Sequence, residues 1–236
     1  MEKLVELYRK WAGSAPANVE KLAGAGSNRA YYRLTDSEGK TVIGVIGTSR
    51  DENHAFIYLA KHFAKRQLPV PHVLAVSVDE MCYLQTDLGV ISLFDAIRGG
   101  REAGGRYNLA EQELLRKTIK ELPNFQLRGA RGLDYSYCYP QAEFNEESVL
   151  FDLNYFKYCF LKATEIDFHE LKLQANFRMF AKDLTSEKIE AFQYRDFQAR
   201  NVMLDSKGNP HFIDFQGGRK GPYYYDPVSY THLTLP

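Results

Sequence analysis

The chain has 236 residues, of which 44% are hydrophobic, 30 are basic and 30 are acidic. This balance gives no electrostatic reason to expect nucleic acid or an anionic membrane surface as a partner, and no run approaches the ~18 apolar residues of a membrane-spanning helix. The three cysteines are scattered and odd in number, which argues against a disulfide framework and for a reduced, cytoplasmic compartment.

The first part of the chain carries a β-rich pattern. Leucine and aromatic residues recur at helical spacing over residues 2–12 and predict an amphipathic helix. Three antiparallel strands follow, at residues 19–22, 30–34 and 41–46. The small-residue loop at 23–28 joins the first two strands rather than opening a helix. This placement is typical of the phosphate-covering loop of kinases and not of a dinucleotide fold.

The β pattern continues to about residue 88. Ser49 and Glu52 have the spacing of a capping box and predict a helix that ends at Lys65. Strands at 72–78 and 81–85 follow, and a Gly-rich flexible loop is expected at 99–105. Further helices are predicted at 91–98, 109–122, 144–164 and 165–181. We therefore predict an α+β fold with an N-terminal lobe of residues 1–88 and a mainly helical C-terminal lobe of residues 89–228.

A predicted hairpin late in the chain carries two candidate metal ligands. Asn201 opens one short apolar run and Asp214 closes the next. If Lys207 and Gly208 are the two loop residues, Asn201 lies opposite Asp214 with Cβ atoms ~4.5–5.5 Å apart. An amide oxygen and a carboxylate suit a hard cation such as Mg²⁺, which completes its shell with substrate phosphates.

Asp196 lies five residues before Asn201, which is the spacing of the kinase catalytic loop H-R-D-x-x-x-x-N. The stretch at 194–201 resembles that loop with Tyr194 in place of the histidine, and residues 214–217 resemble D-F-G with one residue added. In the kinase loop the aspartate accepts the proton of the attacking hydroxyl. An ordinary polar surface hairpin is disfavoured because both motifs occur in order at the expected separation.

Three stretches of the chain match the motifs of a known family. Residues 24–33 are similar to G-x-x-S-x-R-x-Y-x-R, residues 195–201 to R-D-x-Q-x-R-N, and residues 212–226 to F-I-D-F-Q-G-x-R-x-G-P…Y-D. On these motifs the chain resembles the aminoglycoside phosphotransferase family, and within it the N-acetylmuramate and N-acetylglucosamine sugar kinases. The resemblance spans about residues 20 to 228 and implies a two-lobed, protein-kinase-like fold.

The resemblance also implies roles for individual residues. Asp196 would be the catalytic base, and Asn201 and Asp214 would be the Mg²⁺ ligands. Loop residues would cover the phosphates of ATP, and residues 86–88 would face adenine at the hinge between the lobes. The expected nucleotide-binding residues are Gly24, Gly26, Ser27, Asn28, Arg29, Arg33, Thr86 and Leu88.

The chain departs from the family pattern at two points. The strand at 41–46 lacks the V-A-I-K lysine that binds the α- and β-phosphates, and Arg29 or Arg33 is the candidate replacement because both share one strand face. Residues 229–236 do not continue the family pattern and look like a non-native tail on a truncated gene. We therefore expect exposed apolar surface near residues 145–180.

The sequence predicts an ATP- and Mg²⁺-dependent small-molecule kinase that phosphorylates a hydroxyl group, with an amino sugar as one candidate acceptor. A phosphotransferase for another alcohol or an aminoglycoside is an alternative, although mixed charges over residues 127–182 disfavour a polycationic acceptor. A catalytically silent nucleotide-binding regulator is a second alternative, because the strand lysine is missing. Neither nucleic acid nor membrane is expected as a partner, and the sequence leaves the oligomeric state open.

Overall fold

The computed structural model describes residues 1–22, 28–186 and 191–227. The strands are β1 (Asn18–Lys21), β2 (Ala30–Thr35), β3 (Thr41–Ile46), β4 (Val73–Val76), β5 (Cys82–Thr86), β6 (Ala191–Gln193), β7 (Val202–Leu204), β8 (Pro210–Phe212) and β9 (Arg219–Gly221). The α-helices are α1 (Glu2–Ala12), α2 (Arg50–Lys65), α3 (Leu93–Ala96), α4 (Arg98–Glu102), α5 (Leu109–Pro123), α6 (Glu146–Phe156) and α7 (Glu170–Leu184). The tail predicted at 229–236 lies outside the described residues.

The first five strands form one antiparallel sheet in the order β1-β2-β3-β5-β4. The predicted meander of the first three strands is therefore confirmed. Because side chains alternate between faces, each face can bury its own set of apolar residues. On one face, α1 packs Leu4 and Tyr8 against Leu34 and Leu84. The opposite face packs Tyr83 against α2 and the residues beyond it.

Of the two hydrogen bonds of the predicted capping box at the start of α2, the structure of the described residues shows one. Ser49 Oγ accepts a hydrogen bond from the backbone N–H of Glu52 at 3.3 Å. The carboxylate of Glu52 contacts Arg29 and Gln216, so it does not close the box. The long-range contacts therefore override the local capping pattern.

The buried face of α2 joins the sheet to the rest of the molecule. The ring of Phe56 stacks on Phe215 at a centroid distance of 5.1 Å, and Phe63 meets the same ring edge-on at 5.4 Å. Phe63 also contacts Phe125 and Phe192 edge-on at 5.4 and 5.0 Å. One aromatic core thus runs from the sheet to the elements that carry the candidate site.

The stretch at 91–105 differs from its prediction. One helix was expected at 91–98 and a flexible loop at 99–105, whereas α3 and α4 divide this stretch and α4 includes Gly99 and Gly100. The Glu111 carboxylate accepts the N–H of Gly100 at 2.8 Å. A Cβ on Gly100 would meet the Tyr107 ring at 2.1 Å, so the glycine permits a close approach. Tertiary contacts thus stabilise a helix that local propensity disfavours.

The later helices are confirmed in type but not in all bounds. The helix predicted at 109–122 is α5, with a complete capping box between Asn108 and Glu111. The helix predicted at 144–164 corresponds to α6 and the π-helical turn Lys157–Leu161. The helix predicted from residue 165 begins instead at Glu170, where the His169 side chain accepts the N–H of Lys172.

The helices α6 and α7 pack on each other and leave large apolar side chains exposed. The expected apolar exposure near residues 145–180 is therefore present, and no helix among the described residues is both long and apolar enough to cross a membrane. The large exposed apolar side chains of α6, α7 and the π-helical turn after α6 are Phe151, Tyr155, Phe156, Tyr158, Phe160, Leu171, Met179 and Phe180.

The sheet of β1–β5 ends at Thr86, and all of α3–α7 lies beyond it. The division of the chain at residue 88 into two lobes stays a prediction. Below, the N-terminal sheet means β1–β5, and the C-terminal part means the described residues from 89 onward.

Candidate active site

The segment that carries Asp196 is held in place by a buried carboxylate. The backbone N–H groups of Tyr194 and Arg195 donate to Asp226 at 3.0 and 2.8 Å, and the Gln126 amide donates to it at 3.0 Å. Arg195 has φ of +73°, a conformation that costs a non-glycine residue on the order of 1–3 kcal/mol. The buried hydrogen bonds to Asp226 offset that strain and fix the turn before Asp196.

Tyr194, which replaces the histidine of the kinase loop, ties the two motifs together. Its ring is buried, and its hydroxyl donates to the carbonyl of Ile213 at 2.6 Å. Burial, and then the charge of Asp214, raise the pKa of Tyr194 well above its ordinary value, so the hydroxyl remains a donor. Since Ile213 directly precedes Asp214, this bond sets the position of the second motif relative to the first.

The hairpin formed by β7 and β8 has a three-residue loop instead of the predicted two-residue loop. The backbone N–H of Asp205 donates to the carbonyl of Asn209 at 3.1 Å, and the Asp205 carboxylate accepts the N–H of Lys207 and of Asn209. Gly208 has φ of +71°, the left-handed conformation that closes such a loop. The side chain of Asp205 therefore selects the longer loop.

This loop shifts the predicted register by one residue. Val202 pairs with Phe212, and the N–H of Ile213 donates to the carbonyl of Asn201, so Asn201 lies opposite Ile213 and the predicted pairing with Asp214 is wrong. Such a shift would ordinarily place the two side chains on opposite faces. Asp214 has φ of +65°, which turns its carboxylate back, and Asn201 Nδ2 donates to Asp214 Oδ2 at 3.3 Å.

Asp196 lies beside this pair and reaches solvent. Desolvation by the surrounding protein, followed by the negative charge of Asp214, raises the pKa of Asp196 to about 6. Arg195 and Arg219 act in the opposite direction. A carboxylate with this pKa accepts a proton more readily than an ordinary aspartate and is still ionised at neutral pH.

Asn201 and Asp214 present oxygen ligands suited to a divalent cation. The amide nitrogen of Asn201 donates to the backbone carbonyl of Asp196 at 2.9 Å, which leaves the amide oxygen as its free ligating atom. Within the described part of the chain, no group of three or more His, Cys, Asp or Glu could hold an ion alone. One amide and one carboxylate fit Mg²⁺, which keeps several water or phosphate ligands.

Two arginines flank Asp196. Arg195 forms an ion pair with Asp152 of α6, with 3.1 Å between Nη2 and Oδ2. Arg219 is buried, donates to Ser148 Oγ at 3.3 Å, and has its pKa lowered to about 10 by burial and by the charge of Arg195. Both guanidinium groups stabilise the ionised form of Asp196.

The predicted nucleotide-loop residues Gly24, Gly26 and Ser27 lie outside the described residues. Asn28, at the edge of the described chain, is exposed. Arg29 is buried, and its Nη2 forms an ion pair with Glu52 Oε1 at 2.9 Å. The guanidinium also lies 5.8 Å from the centroid of the Phe56 ring. A cation is thus placed beside α2, on the sheet face that packs toward the C-terminal part.

Arg33 is placed differently from Arg29, although both lie on the same sheet face. Its guanidinium contacts the Asp87 carboxylate twice, at 2.6 and 3.2 Å, and donates to the Gly89 carbonyl at 3.2 Å. Thr86, the last residue of β5, contacts the start of β4, since its hydroxyl accepts the N–H of His72 at 3.0 Å. Leu88 is half-buried between these contacts. Arg33 therefore joins the N-terminal sheet to the segment that follows β5.

Three residues that contact the candidate site were not predicted as site residues from the sequence. Asp226 holds the turn before Asp196, while Glu52 and Gln216 contact Arg29 and Asp214 respectively. The position of Glu52 three residues after a capping serine indicated a local role only. For Asp226 and Gln216, the available signal was that each lies within the motif quoted at 212–226.

The sequence model described as the phosphotransferase enzyme family matches residues 18–234. The chain is 29% identical over 206 residues to an N-acetylmuramate/N-acetylglucosamine kinase of Neisseria meningitidis serogroup B, and 25% identical over 219 residues to a kinase of the same name from Pseudomonas aeruginosa. These matches cover 85% and 92% of this chain but only 57% and 60% of the two relatives.

A solved structure, the streptomycin–ATP–APH(2″)-IIa ternary complex, matches with a TM-score of 0.65 at 13% identity. The match covers 96% of this chain and 75% of that chain. At this level of identity the likeness concerns the fold. The predicted kinase-like α+β fold is confirmed.

Proposed function

Because the chain belongs to the phosphotransferase enzyme family, we propose that it is an ATP-dependent small-molecule kinase that phosphorylates a hydroxyl group. The observation that carries the proposal is the meeting of Asp196, Asn201 and Asp214. They come from two motifs that the Tyr194–Ile213 hydrogen bond joins.

Asp196 is the proposed catalytic base. In the transfer, a bond forms between the acceptor oxygen and the γ-phosphorus, and the bond from that phosphorus to the bridging oxygen of ADP breaks. The proton of the acceptor hydroxyl passes to a carboxylate oxygen of Asp196. The raised pKa of Asp196 supports this role, because the group is ionised at neutral pH and yet accepts a proton readily.

Asn201 and Asp214 are the proposed Mg²⁺ ligands, and Arg29 is the proposed replacement for the missing strand lysine. When bound, Mg²⁺ supplies positive charge to the phosphate oxygens. The Arg29–Glu52 ion pair supports Arg29 over Arg33, because kinases pair their phosphate-binding lysine with a helix glutamate in the same way. Arg33 is held instead by Asp87.

The remaining nucleotide contacts are also part of the proposal. The loop with Gly24, Gly26, Ser27 and Asn28 would cover the phosphates. Residues 86–88, with Thr86 and Leu88, would line the adenine site beside the Arg33–Asp87 contact. The hinge position of these residues, at the end of the N-terminal sheet, supports this arrangement.

An amino sugar is the acceptor class that we propose, in the cytoplasm, where ATP is available. The names of the two curated relatives support this class, and the chain spans 57% and 60% of their lengths. Cys82, Cys138 and Cys159 are all free thiols, which suits a reducing compartment.

The test is ADP release by this chain with ATP and Mg²⁺ in the presence of a panel of acceptors. The panel contains N-acetylmuramate, N-acetylglucosamine, choline and an aminoglycoside. We expect turnover with an amino sugar and a loss of about 10²–10⁴-fold in kcat for Asp196→Asn, the range that general-base removal produces. Asp183→Asn, on the exposed surface of α7, is the matched control and should retain turnover.

Two results would contradict the proposal. Turnover that is unchanged in Asp196→Asn would overturn the role of the base. Binding of Mg²⁺-ATP without turnover on any acceptor would favour the alternative of a silent nucleotide-binding regulator. Turnover with choline or the aminoglycoside alone would keep the kinase assignment and reject the amino sugar.

A further inference from the structure

A chain of polar contacts connects α2 to both candidate metal ligands. Glu52 Oε1 lies 2.9 Å from Arg29 Nη2 and 3.5 Å from Gln216 Nε2. Gln216 Nε2 donates to Asp214 Oδ1 at 2.7 Å, and Asp214 Oδ2 accepts from Asn201 Nδ2 at 3.3 Å. These contacts bring together residues that are 164 positions apart in the sequence.

The amide group of Gln216 is matched to the two carboxylates that it contacts. An amide nitrogen carries two protons, and here one points to Asp214 and the other to Glu52. The other end of the side chain, Oε1, is buried without a hydrogen-bond partner among the described residues. The orientation of Gln216 is therefore set by these two carboxylates through its nitrogen.

Asp214 needs such an external support. Its backbone has φ of +65°, a strained conformation for a non-glycine residue, and the hairpin register alone would direct its side chain away from Asn201. The hydrogen bond from Gln216 occupies Oδ1 and leaves Oδ2 directed toward Asn201. Contacts of this kind around metal ligands fix the orientation of the ligating group.

Glu52 adds a connection to the N-terminal sheet. Its carboxylate was expected to cap its own helix, but it faces the C-terminal part, where it accepts from Gln216. α2 packs on both parts through Phe56 and Phe63. A movement of α2 would therefore change the distance between Glu52 and Gln216.

We propose that Glu52 and Gln216 are positioning residues through which α2 sets the orientation of the carboxylate of Asp214 toward its metal. The inference rests on the proposed function, because it takes Asp214 as a Mg²⁺ ligand. It assigns to Gln216 a role outside the ligand set itself.

The test measures how much Mg²⁺ tightens the binding of a nucleotide, so that it does not depend on turnover. The dissociation constant of adenylyl imidodiphosphate is determined by calorimetry with excess EDTA and with saturating Mg²⁺, and the ratio of the two is compared between variants. In Gln216→Met, which keeps the length of the side chain and removes its donors, we expect this ratio to fall about tenfold. The EDTA value should stay within twofold.

The second variant tests the link between the two residues. Glu52→Ala should also lower the Mg²⁺-dependent ratio, and Glu52→Ala combined with Gln216→Met should lower it no further than Gln216→Met alone. Any metal-independent effect of losing the contact with Arg29 cancels in the ratio. Additive losses in the double variant would overturn the proposed link.

Gln112→Met is the matched control, because it removes a side-chain amide of α5 that donates to the Tyr107 carbonyl at 2.8 Å. It should leave the ratio unchanged, and circular dichroism should show all variants folded. If Mg²⁺ tightens nucleotide binding by the wild-type chain and the Gln216→Met variant keeps the same ratio, this inference alone is overturned. A wild-type chain without Mg²⁺-dependent nucleotide binding would overturn the proposed function and this inference together.

Discussion

At the scale of single residues, the candidate site combines strain with unfavourable charge. Arg195 and Asp214 both have positive φ, and Asp196, Asp214 and Asp226 bring three carboxyl groups into one region. Burial raises the pKa of both Asp226 and Asp196, so each is easier to protonate than an ordinary aspartate, although hydrogen bonds from two backbone N–H groups act in the opposite direction on Asp226. Residues in such conformations and charge states cluster at functional sites and reduce stability there.

Asp196→Asn should stabilise the metal-free chain at neutral pH. The folded pKa of about 6 lies above the ordinary value of 3.8, so ionisation of Asp196 destabilises the folded state as pH rises through this window. The free energy of unfolding of the asparagine variant should equal that of wild type near pH 4. At pH 7.5 it should be larger by about 1 kcal/mol, after allowance for solvent screening of an exposed carboxylate.

Denaturant unfolding in EDTA, compared at several pH values, measures this difference. Since the other carboxyl groups are common to both proteins, their titration cancels in the comparison. A difference that does not change between pH 4 and pH 7.5 would show that the pKa of Asp196 is not raised in the folded state.

At the scale of elements, the site depends on how residues 194–201 and the end of the β7–β8 hairpin are joined. The Tyr194 hydroxyl bonds to the Ile213 carbonyl, and the ring packs edge-on against Phe125, Phe197 and Phe215. The ring of Tyr194 fills the aromatic core, and its hydroxyl fixes the position of Ile213 and therefore of Asp214. A histidine at this position would have less apolar surface to bury among these phenylalanines.

Tyr194→Phe should lower the free energy of unfolding by about 1–2 kcal/mol, because it leaves the Ile213 carbonyl without this donor and preserves the packing of the ring. The matched control is Tyr155→Phe on the exposed surface of α6, which should change stability by less than about 0.5 kcal/mol. Chemical denaturation measures both. Equal effects in the two variants would contradict the role assigned to the buried hydroxyl.

At the scale of the whole molecule, several contacts connect the N-terminal sheet to the C-terminal part. Arg33 binds Asp87 and Gly89, which directly follow β5. Glu52 of α2 contacts both Arg29 and Gln216. The ring of Phe56 in α2 stacks on Tyr83 of the sheet and on Phe215 of the C-terminal part.

Arg33→Met should destabilise the chain by about 2 kcal/mol, because the partly buried carboxylate of Asp87 loses its bidentate partner. Lys40→Met, in the exposed pair with Glu38, is the control and should change stability by less than about 0.5 kcal/mol. Thermal or chemical unfolding measures the difference, and an equal effect in both variants would contradict the stabilising role assigned to the Arg33–Asp87 ion pair.

Nucleotide binding by Arg33→Met and by Arg29→Met separates the two candidate phosphate-binding arginines. Because Arg33 is bound to Asp87, nucleotide affinity in folded Arg33→Met should change by less than about threefold, whereas Arg29→Met should lose about tenfold, the effect of roughly 1.4 kcal/mol of lost interaction. Calorimetric titration with Mg²⁺-ATP measures both. A larger loss for Arg33→Met would exchange the two assignments.

Much of the fold could be predicted from local patterns. The helix at 2–12, the strand at 41–46 and the helix that ends at Lys65 all agree with the structure, because residue periodicity and capping residues are local properties of the chain. The pattern failed where a side-chain contact from outside the element decided the outcome. At Gly100 the carboxylate of Glu111 and the ring of Tyr107 stabilise a helical turn that glycine disfavours.

The sequence by itself determined the order and spacing of Asp196, Asn201 and Asp214, since motif spacing is a property of the chain. Only the tertiary structure decided how these residues meet. The hairpin register was one residue away from prediction, and the left-handed conformation of Asp214 restored the contact. Glu52 found partners far along the chain because side-chain contacts between packed elements depend on their relative placement, which no local pattern encodes.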